Sequence, residues 1–205
     1  MLYIATLLES KADLGIDDTD DDAVLTEWLE GVQARIDGEL RRKLLYSASE
    51  TEVFDGGVST LRVRRWPITS ITSVNIDGDQ TFAAATALAS SDYRTNDRRG
   101  LVVYGSGSYK WPVGFQNIQV VYAGGFVQSD GTKAANVDDE ELDAIRRAHF
   151  MQSSFEWRNR ETLGVTMISR DGASRQVGSG ALLTLRGKTL QPEVIETLLP
   201  FARVE

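Results

Sequence analysis

The chain has 205 residues, a net charge of −8, 41% hydrophobic and 25% charged side chains, and no cysteine. That is chain enough for one large domain or two small ones, and it excludes disulfides and thiolate chemistry. A lone histidine argues against a zinc enzyme, and no apolar run reaches the roughly 18 residues of a membrane span. The start, MLYIATLLESKADL, lacks a basic n-region and meets Glu9 too early for a secretory signal.

Thr6 and Glu9 have the spacing of a capping box, which predicts a short helix over about 7–14, closed by Gly15. DDTDDD (17–22) lacks the spacing and the distal glutamate of a calcium loop, so it reads as a helix cap and solvated face. The stretch 20–45 carries Val24, Leu25, Trp28, Leu29, Val32, Ile36, Leu40 and Leu44 at spacings of three and four. That predicts a long amphipathic helix with Trp28 largely buried. Asp20 to Asp22 supply its N-cap, and Arg41, Arg42 and Lys43 complement its other end. Gly31 and Gly38 weaken it by roughly 1 kcal/mol each relative to Ala. This helix is expected to carry internal contacts and contacts with neighbouring copies.

After Leu45 the period changes from helical to twofold. Glu52–Phe54 and Leu61–Arg64 alternate, with Asp55-Gly-Gly57 as a hairpin turn between them. Ile68–Ile76, Leu101–Tyr104 and Ile118–Tyr122 are further strands, and 80–91 is a loop or weak helical turn. Asp138 to Glu141 open another helix that runs to about Arg160, with His149 as a partly buried structural residue on or beside its stripe. Leu163–Ile168 alternates like a strand, Gly172–Gly180 reads as mobile, and Ala181–Leu185 is expected to pair back. Gln191-Pro192 starts a last helix with proline at N1.

The fold class is therefore α+β. A helical bundle of about four helices (near 7–14, 21–45, 138–160 and 191–199) carries an inserted small antiparallel β unit and an extended C-terminal arm. The divisions are 1–48 with 137–161 for the bundle, 49–136 for the β unit, and 162–205 for the arm.

Catalytic signatures are missing. There is no Walker-type loop, dinucleotide fingerprint or nucleophile elbow, and His149 has no candidate nucleophile near it in sequence. A two-carboxylate site stays open on sequence alone. Trp66 and Trp111 each precede a proline, which suits a packed sheet edge better than a sugar-stacking surface. No enzyme, cofactor or metal site is expected; a carbohydrate-binding β module or a hydrolase is the alternative. Residues 1–60 hold 14 acidic and 5 basic side chains, whereas 158–205 hold 5 and 7, so the acidic excess is N-terminal. That disfavours sequence-specific DNA binding, which needs positive charge at the phosphates.

Several segments, in order, resemble the head–tail connector (adaptor, or head-completion) proteins of tailed bacteriophages and gene transfer agents. They are the short helix, acidic linker and long helix; Arg65-Trp-Pro-Ile-Thr-Ser-Ile-Thr-Ser-Val74; Gly100-Leu101 and Trp111-Pro112; and Ile118-Gln-Val-Val-Tyr-Ala-Gly-Gly-Phe126. Phe155-Glu-Trp-Arg-Asn-Arg-Glu161 and Leu198-Leu-Pro-Phe-Ala-Arg-Val204 complete the set. No single motif carries chemistry; their order makes the resemblance. Val137-Asp138 stands where the family often has a proline, and 162–190 is long.

The resemblance implies a structural protein of the virion neck, assembled in the host cytoplasm, with no membrane association. It implies a ring, usually of twelve, beneath the portal protein, extending the DNA channel and docking the stopper or tail terminator. Twelve copies at −8 would bring about −96 to such a ring, a wall along which DNA passes without sequence-specific binding. The channel-facing or intersubunit candidates are Asp17, Asp18, Asp20, Asp21, Asp22, Glu27 and Glu30. The portal or subunit-interface candidates are Val194, Leu198, Leu199, Phe201 and Arg203.

Overall fold

The structure is a computed structural model that describes residues 4–105, 109–128, 131–160, 167–170, 173–176 and 190–202. The chain forms two compact units, Met1–Arg41 with Asp143–Glu205 (unit 1) and Arg42–Leu142 (unit 2). With four helices and small antiparallel sheets among the described residues, the fold is α+β, as expected.

In unit 1, α1 (Leu7–Leu14) begins at a complete capping box. The Glu9 amide donates to Thr6 Oγ1 at 3.1 Å, and the Thr6 amide donates to Glu9 Oε2 at 2.8 Å. Two of the helix's orphan amino-terminal donors are thereby satisfied. α2 (Asp22–Leu40) buries Leu25, Leu29, Val32, Gln33, Ile36 and Leu40. Two expectations for this helix are corrected and one holds. Val24 is 53% exposed and lies off the stripe. Trp28 keeps only a minor part of its surface, as expected, its ring packed edge-on to Trp157 at 6.0 Å beside Leu25 and Leu29. The helix also stops at Leu40, because Arg41 takes the left-handed conformation (φ 52°). Beyond it the backbone joins sheet-type hydrogen bonds: the Lys43 amide donates to Arg64 O and the Phe126 amide to Leu44 O. Leu44 keeps its helical spacing in the sequence but is buried outside the helix.

α3 (Asp139–Arg158) has its first turn in unit 2 and the rest in unit 1. Its inner face buries Ile145, Ala148, His149, Gln152, Glu156 and Trp157. α4 (Pro192–Leu198) starts with proline at N1 and buries Val194 and Leu198. Two strands precede it, β7 (Met167–Arg170) and β8 (Ala173–Gln176), paired antiparallel. The partner strand is therefore Ala173–Gln176, within the stretch read as mobile. Ala181–Leu185 lies outside the described residues.

Unit 2 holds two three-stranded antiparallel sheets. One has the order β1 (Ser47–Phe54), β6 (Ile118–Gly124), β3 (Ile68–Ile76); the other has β2 (Thr60–Arg62), β5 (Leu101–Tyr104), β4 (Tyr93–Asn96). The expected hairpin across Asp55–Gly57 does not form. Phe54 pairs with Ile118 and Leu61 with Val102, in different sheets. The alternation marked both strands correctly but carries no information on partners. Inward positions supply a core of Leu61, Val63, Ile68, Val74, Val102, Trp111, Ile118, Val120 and Tyr122. Gly125, at φ 120°, ends the central strand where a Cβ would come within 2.6 Å of the Leu45 and Tyr46 backbone.

Candidate interaction surfaces

Unit 1 is held by polar bonds as well as apolar burial. Glu156, 5% exposed, accepts from Arg35 at 2.5 Å and from the Gln152 amide group. Gln152 Oε1 accepts the Gln191 amide at 2.8 Å, which fixes the entry to α4. Gln33 Oε1 accepts the Ile4 amide at 3.0 Å, fixing the amino-terminal segment. Each of these buried polar side chains has a partner, as burial requires. His149 is fully buried with Nε2 at 3.2 Å from Leu29 O. Desolvation pushes its pKa down to about 4, partly opposed by that bond, so the ring is neutral near pH 7 and Nε2 carries the donated proton. It is a structural histidine, more deeply buried than its sequence position suggested.

The acidic candidates form a solvated rim at the start of α2. Asp17, Asp18, Asp20, Asp21 and Glu27 are exposed; Asp22 and Glu30 are partly covered. Asp22 pairs with Lys11 at 2.6 Å, and Lys11 also donates to the Asp18 carbonyl. Asp21 is the N-cap but makes no side-chain capping bond, so the aspartates act through charge at the positive end of the helix dipole. Among the described residues no cluster of His, Asp and Glu is placed to hold a metal ion.

The carboxy-terminal candidates divide. Val194 and Leu198 are 0% and 1% exposed and belong to the interior of unit 1. Leu199 is 62% exposed, and Phe201, in the same 3-10 turn (Leu199–Phe201), keeps part of its surface. Arg203 lies outside the described residues. Trp111 is 1% exposed and packs on Tyr104, and Trp66 lies under the Arg42 guanidinium at 3.1 Å. Trp111 therefore offers no sugar-stacking face, and one face of Trp66 is already covered.

Two surfaces were not singled out from the sequence. The first is a loop tip on unit 2 where Val58, Val113 and Phe115 stand 44%, 90% and 70% exposed. The signal was Trp111-Pro-Val-Gly-Phe115, large apolar residues in a Gly/Pro loop between strands. The second is a groove of about 780 Å³ on unit 1 whose lining includes Arg147, Phe150, Met151, Phe155 and Arg158. These residues recur along the outward side of α3, opposite its buried stripe.

No family model and no curated protein matches the chain. Solved structures do. A chain from the neck of an empty gene transfer agent particle, computed with C6 symmetry, superposes with a TM-score of 0.59 at 14% identity, over 98% of this chain and 91% of that one. A chain from the virion of a native gene transfer agent particle gives 0.55 at 16%, over 91% and 90%. At such identity the likeness establishes a shared fold, and it runs almost end to end.

Proposed function

We propose that this chain is a structural subunit of a phage-like virion neck. It forms a ring beneath the portal, prolongs the DNA channel, and presents the surface on which the stopper or tail terminator docks. The observation that carries the reading is the near end-to-end fold likeness to a chain of a gene transfer agent neck with rotational symmetry. Charge supports it: the exposed rim Asp17–Asp21 with Glu27 repels phosphate, as a passage for DNA requires. In this reading the rim faces the channel or a neighbouring subunit. The exposed face of α2 also fits contact between copies. Gly31 and Gly38 lie on it, and a Cβ at either would have no neighbour within 4 Å, so no packing within the chain offsets their cost. Leu199 and Phe201 are the portal-facing pair, since Val194 and Leu198 are already used inside unit 1.

The test is capture of the tagged chain by portal-bearing capsids from the same source. Retention through the portal, abolished by Leu199→Asp with Phe201→Ser at unchanged melting, supports the reading. Equal retention by capsids without portal contradicts it.

A further inference from the structure

We propose that the outward face of the β2-β5-β4 sheet in one copy receives the acidic start of α2 from a second copy, as a head-to-tail contact between subunits. The inference rests on the ring reading above and assigns the acidic rim to a neighbouring subunit rather than to the channel.

The register of the sheet defines the face. Residues directly opposite one another on antiparallel strands point to the same side. Thr60, Val103 and Arg94 form one such row, and Arg62, Leu101 and Asn96 another. Leu61 and Val102, between these rows, point the other way and are buried in the core of unit 2. The outward face is therefore an apolar strip, Leu101 and Val103 on the central strand, with an arginine on each edge strand. Both apolar side chains keep part of their surface, and Arg94 and Asn96 are exposed. Every charge that the three strands place on this side is positive.

More positive charge adjoins it. The alternation runs on past β2, with Val63 buried and Arg64 exposed, and Arg99 is exposed in the turn that joins β4 to β5. Arg64, Arg94 and Arg99 have no ion-pair partner among the described residues. Most carboxylates nearby are already engaged. Glu52 accepts the Tyr122 hydroxyl and the Arg64 amide, Glu50 pairs with Arg65 at 3.1 Å, and Asp92 accepts the Ser91 hydroxyl at 3.2 Å. Asp97, in the β4–β5 turn, is partly covered and outnumbered by the arginines around it.

A partner for this face needs carboxylates around an apolar centre, and the start of α2 has that arrangement. Residues 17–30 hold seven carboxylates and no basic side chain. Val24 is 53% exposed, with Asp20 and Asp21 before it and Glu27 one turn after it on the same side of the helix. Asp17, Asp20, Asp21 and Glu27 have no ion-pair partner among the described residues. Lys11 is held by Asp22 and the Asp18 carbonyl, and Arg160 lies over the Trp157 ring, so neither neutralises these four. Val24 seated on Leu101 and Val103 brings its flanking carboxylates to the arginines on either edge, the pairing that guanidinium groups make in forked geometry. Rim and face are different patches of one chain, so their contact is heterologous, and heterologous contacts generate rings when the rotation closes.

The test is a charge swap. In a ring every copy carries both surfaces, so reversing one surface weakens every contact and reversing both restores it. Arg64→Glu with Arg94→Glu, and separately Asp20→Lys with Asp21→Lys, should each weaken assembly roughly 10-fold, read by sedimentation well below the melting temperature of each variant. The four changes together should assemble within about 3-fold of wild type. Lys110→Glu with Arg147→Glu changes the net charge equally at exposed sites elsewhere, and should not restore the Asp20→Lys, Asp21→Lys variant. No restoration by the swap, or equal restoration by this control, overturns the contact and leaves the ring reading standing. Normal assembly of either single-surface variant overturns it too, and if the arginine variant has instead lost retention on DNA-cellulose, the face serves DNA phosphates. A wild-type chain that stays monomeric alone and on portal-bearing capsids overturns the ring reading, and this contact with it.

Discussion

Adjacent leucines at the end of α4 give a sharp test of how unit 1 is closed. Leu198 is 1% exposed and Leu199 62% exposed, so the same Leu→Ala change removes a core group at one position and a surface group at the next. Truncating a fully buried leucine costs about 2–5 kcal/mol, the transfer free energy plus the cavity left behind. An exposed one costs under about 0.5 kcal/mol. For a chain of this size each kcal/mol lowers the melting temperature by roughly 2–4 °C. Leu198→Ala should therefore melt about 4–20 °C below wild type, and Leu199→Ala within about 2 °C of it. Calorimetry and urea titration measure both. The order should reverse on portal-bearing capsids, where Leu199→Ala loses binding and Leu198→Ala, kept below its melting temperature, does not. Equal melting of the two variants would refute the packing of α4 on unit 1. Equal retention by capsids would refute the role given to Leu199.

Three further outcomes follow from the same structure. Trp28→Asp places a carboxylate against Trp157 and should destabilise by about 2–4 kcal/mol in urea melts, the partial exposure of the site setting the upper limit. His149 is buried neutral with its pKa near 4, below the ordinary 6.5, so the unfolded chain binds the extra proton first as pH falls. Stability should drop by about 2 kcal/mol from pH 7 to pH 5, level off near pH 4 as far as this residue is concerned, and lose this component in His149→Leu. Reversal of Asp17, Asp20 and Asp21 to lysine should keep the fold and lower stability only modestly, by the roughly 0.3–1 kcal/mol that each charge at the amino end of the α2 dipole supplies, while slowing DNA exit or disturbing assembly; unchanged ejection and assembly would remove the role given to the acidic rim.

Local chemistry was legible in the sequence wherever it was self-contained. Thr6 and Glu9 announce α1 by their own mutual bonds, and Pro192 marks the first turn of α4. Apolar spacing found the buried stripe of α2 from Leu25 to Leu40. It overran at Leu44 because a leucine one turn further on looks the same whether the backbone remains helical or turns into a sheet. Val24 was assigned to the stripe because a spacing of four fits two neighbouring positions on a helix, and only the packed partner chooses between them. Most strands of unit 2 show in the sequence, but β4 (Tyr93–Asn96), with three exposed polar residues, does not, and pairing does not either. β1 and β2 are adjacent in sequence, with a glycine turn between them, yet they belong to different sheets. The surfaces offered to partners were the least legible. Val113 and Phe115 carry no periodicity, only their place in a Gly/Pro loop, and their exposure depends on Asp55, Asn117 and Gln80 holding two distant loops together. Of the carboxy-terminal candidates, only the fold could separate Leu199 from Val194 and Leu198.

A repeated subunit around the DNA passage would be visible in an electron-microscopy map of the neck of the intact particle. Copies of this chain are expected in rotational symmetry immediately below the portal, with the Asp17–Asp21 rim lining the channel or a subunit boundary. Density for the chain elsewhere in the particle, or a single copy off the axis, would contradict it.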